Sequence, residues 1–216
     1  MRSTFGSSPL VRTLGEWSPV DAGACGMDFA ERWSLWLNAF DAIRLQAAHQ
    51  AIRAIRSPAA PPVTQRRASR TGDLAEDLRR LRATLARAIA QPVEAGEAAG
   101  YAPWQQRHAE LQRQTDLLLG PLREHVRQVL SGTSARLHRL AAMDAALESM
   151  LAPREQAILP AVGALLERRH AQLREAGRQQ DFDNEWRQAQ LAELDLRLAP
   201  VAGLVEALGA ASRNQS

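Results

Sequence analysis

An all-α fold is what this sequence predicts: a multi-helix bundle built on a central antiparallel helical hairpin, with kinked helices and Pro-rich linkers. Three observations carry that expectation. Alanine, leucine, arginine, glutamine and glutamate dominate the 216 residues, and all are strong helix formers. Apolar residues recur at gaps of three, four or seven along most of the chain. β-Branched residues are scarce and nowhere alternate with polar ones over a strand's length, so no sheet is expected.

The longest apolar stripe runs from Ser134 to Leu173, through Leu137, Leu140, Leu147, Leu151, Leu159, Val162 and Leu166. No other stretch offers so long a surface for packing, which makes it the expected organiser. Before it, Trp104, Leu111, Leu118, Leu122, Val126 and Leu130 mark a helix over about 104–130, with Pro103 suited to its first turn. Gly132 and Ser134 are a natural C-cap and N-cap, so the two helices should form the antiparallel hairpin. Pro121 and Pro160 fall inside these stripes, where a proline costs about 3 kcal/mol, and each should mark a bend.

Upstream, residues 1–8 are small and polar and are expected to fray. Ser8 and Pro9 open a short helix with Leu10, Val11, Leu14 and Trp17. A second helix starts near Asp28, with Phe29, Trp33, Trp36, Leu37 and Phe40 on one face and Ile43, Leu45, Ala48 and Ile52 beyond Asp41. Residues 57–72 hold three prolines and no apolar period and read as a linker. Asp73 and Glu76 resemble a capping box for a helix through Leu74, Leu78, Leu81, Leu85 and Ile89, which Pro92 ends. After Gly177 a polar connector, RQQDFDNEWR, leads to a last helix through Trp186, Leu191, Leu194, Leu198, Val201, Leu204 and Leu208. The domain organisation expected is N-terminal aromatic-rich helices over 1–56, a Pro/Arg-rich linker over 57–72 and a helical bundle over 73–216, with the N-terminal helices packed on the bundle.

Composition excludes several chemistries. Lysine is absent, so all 27 basic residues are arginine. That removes the phosphate-loop lysine, the Schiff-base lysine and any lysine nucleophile. Net charge is only +3, so the pI of about 10.2 overstates basicity at neutral pH. Cys25 is the single cysteine, the N-terminus makes a poor secretory signal, and no run of about 18 apolar residues occurs. These features point to a cytoplasmic protein without a transmembrane segment.

Metal and nucleophile patterns are equally thin. The five histidines are widely separated, and neither HExxH nor CxxC occurs. Glu167-Arg168-Arg169-His170 matches ExxH, but the second copy that a di-iron bundle needs is missing. No GxSxG elbow surrounds Ser131, Thr133 or Ser134, and Asp181 and Asp183 read as solvated. Histidines are expected to be solvated or interfacial. No catalytic residue, metal site or cofactor is expected.

Two features remain as candidate partner-binding residues. Trp33 and Trp36 stand in a chain otherwise poor in aromatics, and tryptophan is enriched in binding hot spots as well as in cores. From Arg53 to Arg87, nine arginines face three acids, Asp73, Glu76 and Asp77. Within this window Arg66, Arg67, Arg70, Arg79, Arg80 and Arg82 could meet phosphates. No aromatic residue is interleaved to stack on bases.

The segments RLHRLAAMDAALESMLAPREQAILPAVGALLERR, LAELDLRLAPVAGLVEAL and DFAERWSLWLNAFDAIRL resemble the β-proteobacterial domain-of-unknown-function 3348 family. The resemblance covers most of the chain apart from variable linkers at 57–71 and 92–103. It implies a helical cytoplasmic protein with no established activity. Genes of this family stand beside genes for envelope proteins with outer-membrane-anchor or motor-like domains, which implies an envelope-associated protein partner.

The functional expectation is a non-enzymatic helical interaction or scaffold protein that takes a protein partner or self-associates, by bundle packing or a coiled-coil-like pairing. The alternative is a nucleic-acid-associated accessory protein using the Arg53–Arg87 window, although specific nucleic-acid binding is not expected.

Overall fold

The computed structural model describes residues 9–17, 39–55, 64–94 and 100–213. Among them stand six helices: α1 (Pro9–Trp17), α2 (Ala39–Ala54), α3 (Thr64–Ala90), α4 (Ala102–Ser131), α5 (Ala135–Glu175) and α6 (Gln179–Arg213). No strand occurs among these residues.

The expected hairpin is formed by α4 and α5. Ser134 has extended backbone, and its Oγ accepts a hydrogen bond from the Leu137 amide at 3.3 Å, as an N-cap should. Gly132 closes α4 with its amide donating to the Gln128 carbonyl at 3.2 Å. The α5–α6 turn is a Schellman motif. The Arg178 amide donates to the Leu173 carbonyl at 2.8 Å, and the Gly177 amide donates to the Arg174 carbonyl at 3.1 Å. That geometry requires the left-handed φ of +67° at Gly177, where a side chain would be strained.

Ion pairs and hydrogen bonds fix the directions of the helices. Trp104 meets Asp183 and Gln112 meets Glu193, so α4 and α6 run parallel. Arg169 meets Glu185, and Arg82 meets Asp195 while Ala75 lies beside Glu206, so α5 and α3 both run antiparallel to α6. Helices α3 to α6 thus form an up-down-up-down bundle. Outside it, α2 lies antiparallel along α5, joined by Asp41–Arg154 at one end and by Arg139 donating to the Ile55 carbonyl at the other. Helix α1 rests on α5 and α6.

The organiser is not the 134–173 stretch but α6, which packs against α1, α3, α4 and α5. The reason is visible in its burial. Phe182, Trp186, Ala189, Leu194, Leu198, Val201, Leu204, Val205 and Leu208 are all buried, which covers far more than one narrow stripe. Phe182 and Trp186 are the largest fully buried side chains among the described residues. The segment read as a polar connector is therefore the first turns of α6. Its polar residues mask Phe182, which is buried one turn before the expected Trp186.

The expected start of α3 also needs correction. The helix expected from Asp73 begins at Thr64. Residues 57–72 are thus partly helical: nothing after Val63 opposes a helix in Gln65, Arg66, Arg67 and Ala68, although no apolar period announces one. Asp73 lies in the helix interior and does not cap it. The interior prolines do not break their helices, for positions 121, 153, 160 and 200 are all helical. Pro121, Pro153 and Pro200 lie on exposed faces, as do Leu117, Ser149 and Leu196, the residues four places earlier whose carbonyls lose a donor. Water can satisfy those carbonyls there, so the helix continues. Pro103 takes the first-turn position expected of it, and α3 ends at Ala90 ahead of Pro92.

Two leucines of α6, two positions apart, give a direct check on this packing. Leu198 is 4% exposed and Leu196 is 48% exposed. Leu198→Ala should cost about 2–5 kcal/mol, whereas Leu196→Ala should stay within about 0.5 kcal/mol, as read by chemical denaturation. Equal losses at the two positions would contradict the orientation of α6.

Candidate interaction surface and buried polar sites

The sequence-level candidates have different fates. Trp33 and Trp36, like Cys25, lie outside the described residues. Arg66, Arg67 and Arg70 fall in the first turns of α3, and their side chains are outside the description as well. Arg79 and Arg80 share Glu76 on the exposed face of α3, the latter at 3.0 Å. Arg82 turns towards the bundle and grips Asp195 of α6 with both arms, at 2.7 and 3.0 Å. The structure thus gives all three of the described candidate arginines a carboxylate partner and does not gather them into one cluster.

Arginine has a further use that the sequence did not signal. Across the molecule its planar fork joins one helix to another, as lysine's point charge could not do with the same geometry. Arg123 donates to both oxygens of Asp144 at 2.8 and 2.6 Å, and Arg127 reaches Asp144 at 2.8 Å and also Glu148. This four-residue network pins α4 to α5 near their shared turn. The burial of Asp144 opposes its charge, but the hydrogen bonds and positive charge of Arg123 and Arg127 hold its carboxyl below the usual carboxylate range. Arg169 grips Glu185 at 2.6 and 2.7 Å, with its guanidinium 5.9 Å from the Trp17 ring, tying α1 to the α5–α6 pair. Arg107 donates to the Ala88 carbonyl at 2.7 Å and caps the end of α3.

Two buried polar groups correct the expectation of solvated histidines and aspartates. His108 and Glu193, both less than a tenth exposed, approach to 3.4 Å between α4 and α6. Gln112 lies 2.8 Å from His108 Nε2 and 3.4 Å from Glu193 Oε1. Burial alone would raise the Glu193 carboxyl, but His108, Gln112 and the Arg197 charge hold it below its ordinary value. Glu193 and Gln112 also line a cavity of about 20 Å³, with Leu111, Thr115, Gln190 and Arg197 among its other walls. That volume accommodates one water, not a substrate.

His170 is the second group. It is buried among the rings of Tyr101, Trp104 and Phe182, with centroids 5.8, 5.2 and 4.9 Å away. Trp104 Nε1 donates to Asp183 at 2.8 Å, and Asp183 also accepts from Arg187, so Asp183 is a partner in the core wall and not a free surface charge. Burial, and then the charge of Glu167, pushes the Tyr101 hydroxyl up to about 12. Glu167 itself is exposed while His170 is buried, so the ExxH pair does not present a joint ligand face. No group of three His, Cys, Asp or Glu side chains capable of holding a metal stands together among the described residues.

An open groove is bounded by α2, α5 and the end of α6. Two lobes of about 620 and 550 Å³ share Ile52 and Met143. The first is floored by Leu137, Leu140 and Ala211 and edged by Arg136 and Arg139. The second is lined by Leu45, Ala48, Leu147 and Met150. Sequence reading missed it because α2 and α5 each carry an ordinary apolar stripe. Only their packing shows that α2 leaves part of the α5 stripe uncovered.

A family model described as "Protein of unknown function (DUF3348)" matches residues 1–210. The chain belongs to that family. No curated protein and no solved structure matches it. None of the described helices of this family member is long and apolar enough to cross a membrane.

His170 supplies a pH test. Burial first, and then the Arg174 charge, lowers it below its ordinary 6.5, against the opposing pull of Glu167. The unfolded chain therefore takes up a proton as pH falls through 6.5, while the folded chain does so only at lower pH. This contribution to stability is fully present above 6.5 and is lost as pH falls towards the lowered value. His170→Leu should flatten that part of the stability–pH profile, measured by denaturant titration from neutral to mildly acidic pH. An unchanged slope in the variant would show that His170 titrates normally. At the α4–α5 network, Arg123→Ala should cost about 1.5–3 kcal/mol, the loss of charged hydrogen bonds while Arg127 still pairs with Asp144, read in the same titration at neutral pH.

Proposed function

We propose that the chain is a non-enzymatic, cytoplasmic helical interaction or scaffold protein that takes a protein partner or a second copy of itself. The observation that carries the reading is the open apolar groove between α2 and α5. Met143 within it is 47% exposed, and Leu45 on α2 is 41% exposed. Contiguous apolar surface of this kind marks contact sites when it is rimmed by polar residues. A helix laid in a groove is the recognition mode that suits walls made of helices. The envelope-associated partner implied by the family resemblance is compatible with this surface.

The nucleic-acid alternative draws less support. Arg79, Arg80 and Arg82 already have carboxylate partners, which lowers the charge that the Arg53–Arg87 window offers to phosphates.

Site-specific photo-crosslinking in the native host tests the reading. Benzoylphenylalanine in place of Ile52 should give a discrete adduct. The same group at Leu117, 74% exposed on α4 and away from the groove, should not. No adduct at Ile52 above the Leu117 control would overturn it.

A further inference from the structure

We infer that the α2–α5 groove accepts a partner's amphipathic helix of about four turns whose apolar face ends in carboxylates. The inference rests on the interaction reading above and adds the chemistry and length of the occupant. The length comes from the walls. Along α5 the lining runs from Ser134 to Met150, and sixteen residues at helical rise span about 24 Å, or between four and five turns.

The charge comes from the distribution of lining residues. Both charged side chains of the groove, Arg136 and Arg139, stand at the Ser134 end, and no carboxylate lines either lobe among the described residues. The acids of α5 that could offset them are committed elsewhere: Asp144 and Glu148 to Arg123 and Arg127 on the face towards α4. Arg139 spends one N–H on the Ile55 carbonyl. Arg136 is exposed and makes no ion pair among the described residues. The first-turn amides of α5 add positive potential at the same end. The far lobe has no charged lining, only Gln46 and His49 among apolar side chains. A helix with apolar anchors along one face and Glu or Asp at one end complements both halves at once. A uniformly apolar helix leaves Arg136 and Arg139 facing hydrocarbon, and a basic one repels them.

Two fluorescent sixteen-residue helical peptides test this against the full-length chain by anisotropy. They share leucines at i, i+3 and i+7 and differ only in a Glu pair or a Lys pair at one end. The Glu peptide should bind about three- to tenfold more tightly at low salt, with the margin shrinking as salt rises. Arg136→Glu should reverse the order, and Met143→Glu should weaken both peptides. Equal binding of the two peptides, or no effect of Arg136→Glu, would overturn the inference. So would a dimer of the chain that excludes the peptide, or an Ile52 crosslink to the chain's own residues 18–38. If neither peptide binds but Ile52 still crosslinks to a partner without an acidic helix, only the occupant assigned here is wrong. If Ile52 captures nothing, the interaction reading falls with it.

Discussion

Burial of α6 on several sides is the constraint on which the other packing depends. A surface helix hides one stripe, but this one hides Phe182, Trp186, Leu194, Leu198, Val201 and Leu208 and touches four other helices. Once α6 is enclosed, α3, α4 and α5 have little freedom left. Each must turn its leucines towards the same axis, and the two tight turns, at Gly132–Ser134 and Ala176–Arg178, set their alternating directions. Apolar burial supplies most of the driving force, at about 25 cal/mol per Å² removed from water.

Hydrophobic burial is non-directional, so it does not by itself choose a register. Arginine–carboxylate pairs between helices do that here. The pairs Arg82–Asp195, Arg123–Asp144, Arg154–Asp41 and Arg169–Glu185 each join two different helices, and a slide of one turn would break all of them. Such pairs add little net stability compared with apolar packing but penalise wrong alignments, most of all where they are largely buried, as at Arg123–Asp144. Arginine without lysine thus has a structural consequence whatever its origin in the genome. It makes the surface less a uniform cationic coat than a set of clips.

Much of the fold was legible in the residues. The leucine periodicity gave the helices, Pro9 and Pro103 their starts, Pro92 a stop and Ser134 a cap, because these rest on local backbone chemistry. The misses concern residues whose role is set by distant neighbours. Phe182 hides among acids and glutamines, so a hydropathy average sees a connector one turn before the expected Trp186. His108, Glu193 and Asp41 look like surface residues because nothing local reveals Glu193, His108 or Arg154 beside them. The start of α3 was missed because a polar first turn carries no apolar period. The groove was invisible for the same kind of reason: an uncovered stripe differs from a covered one only in what lies opposite.

Native-state hydrogen exchange measures the central claim most directly. If α6 is the axis of the bundle, amides from Trp186 to Leu208 exchange only through global unfolding, and they share one opening free energy with the facing residues of α3, α4 and α5. Helix α2, which among the described helices packs on α5 alone, should open at a lower free energy with the rest intact. Exchange of α6 at a lower free energy than the α4–α5 hairpin would contradict the account and make the hairpin, not α6, the core of the fold.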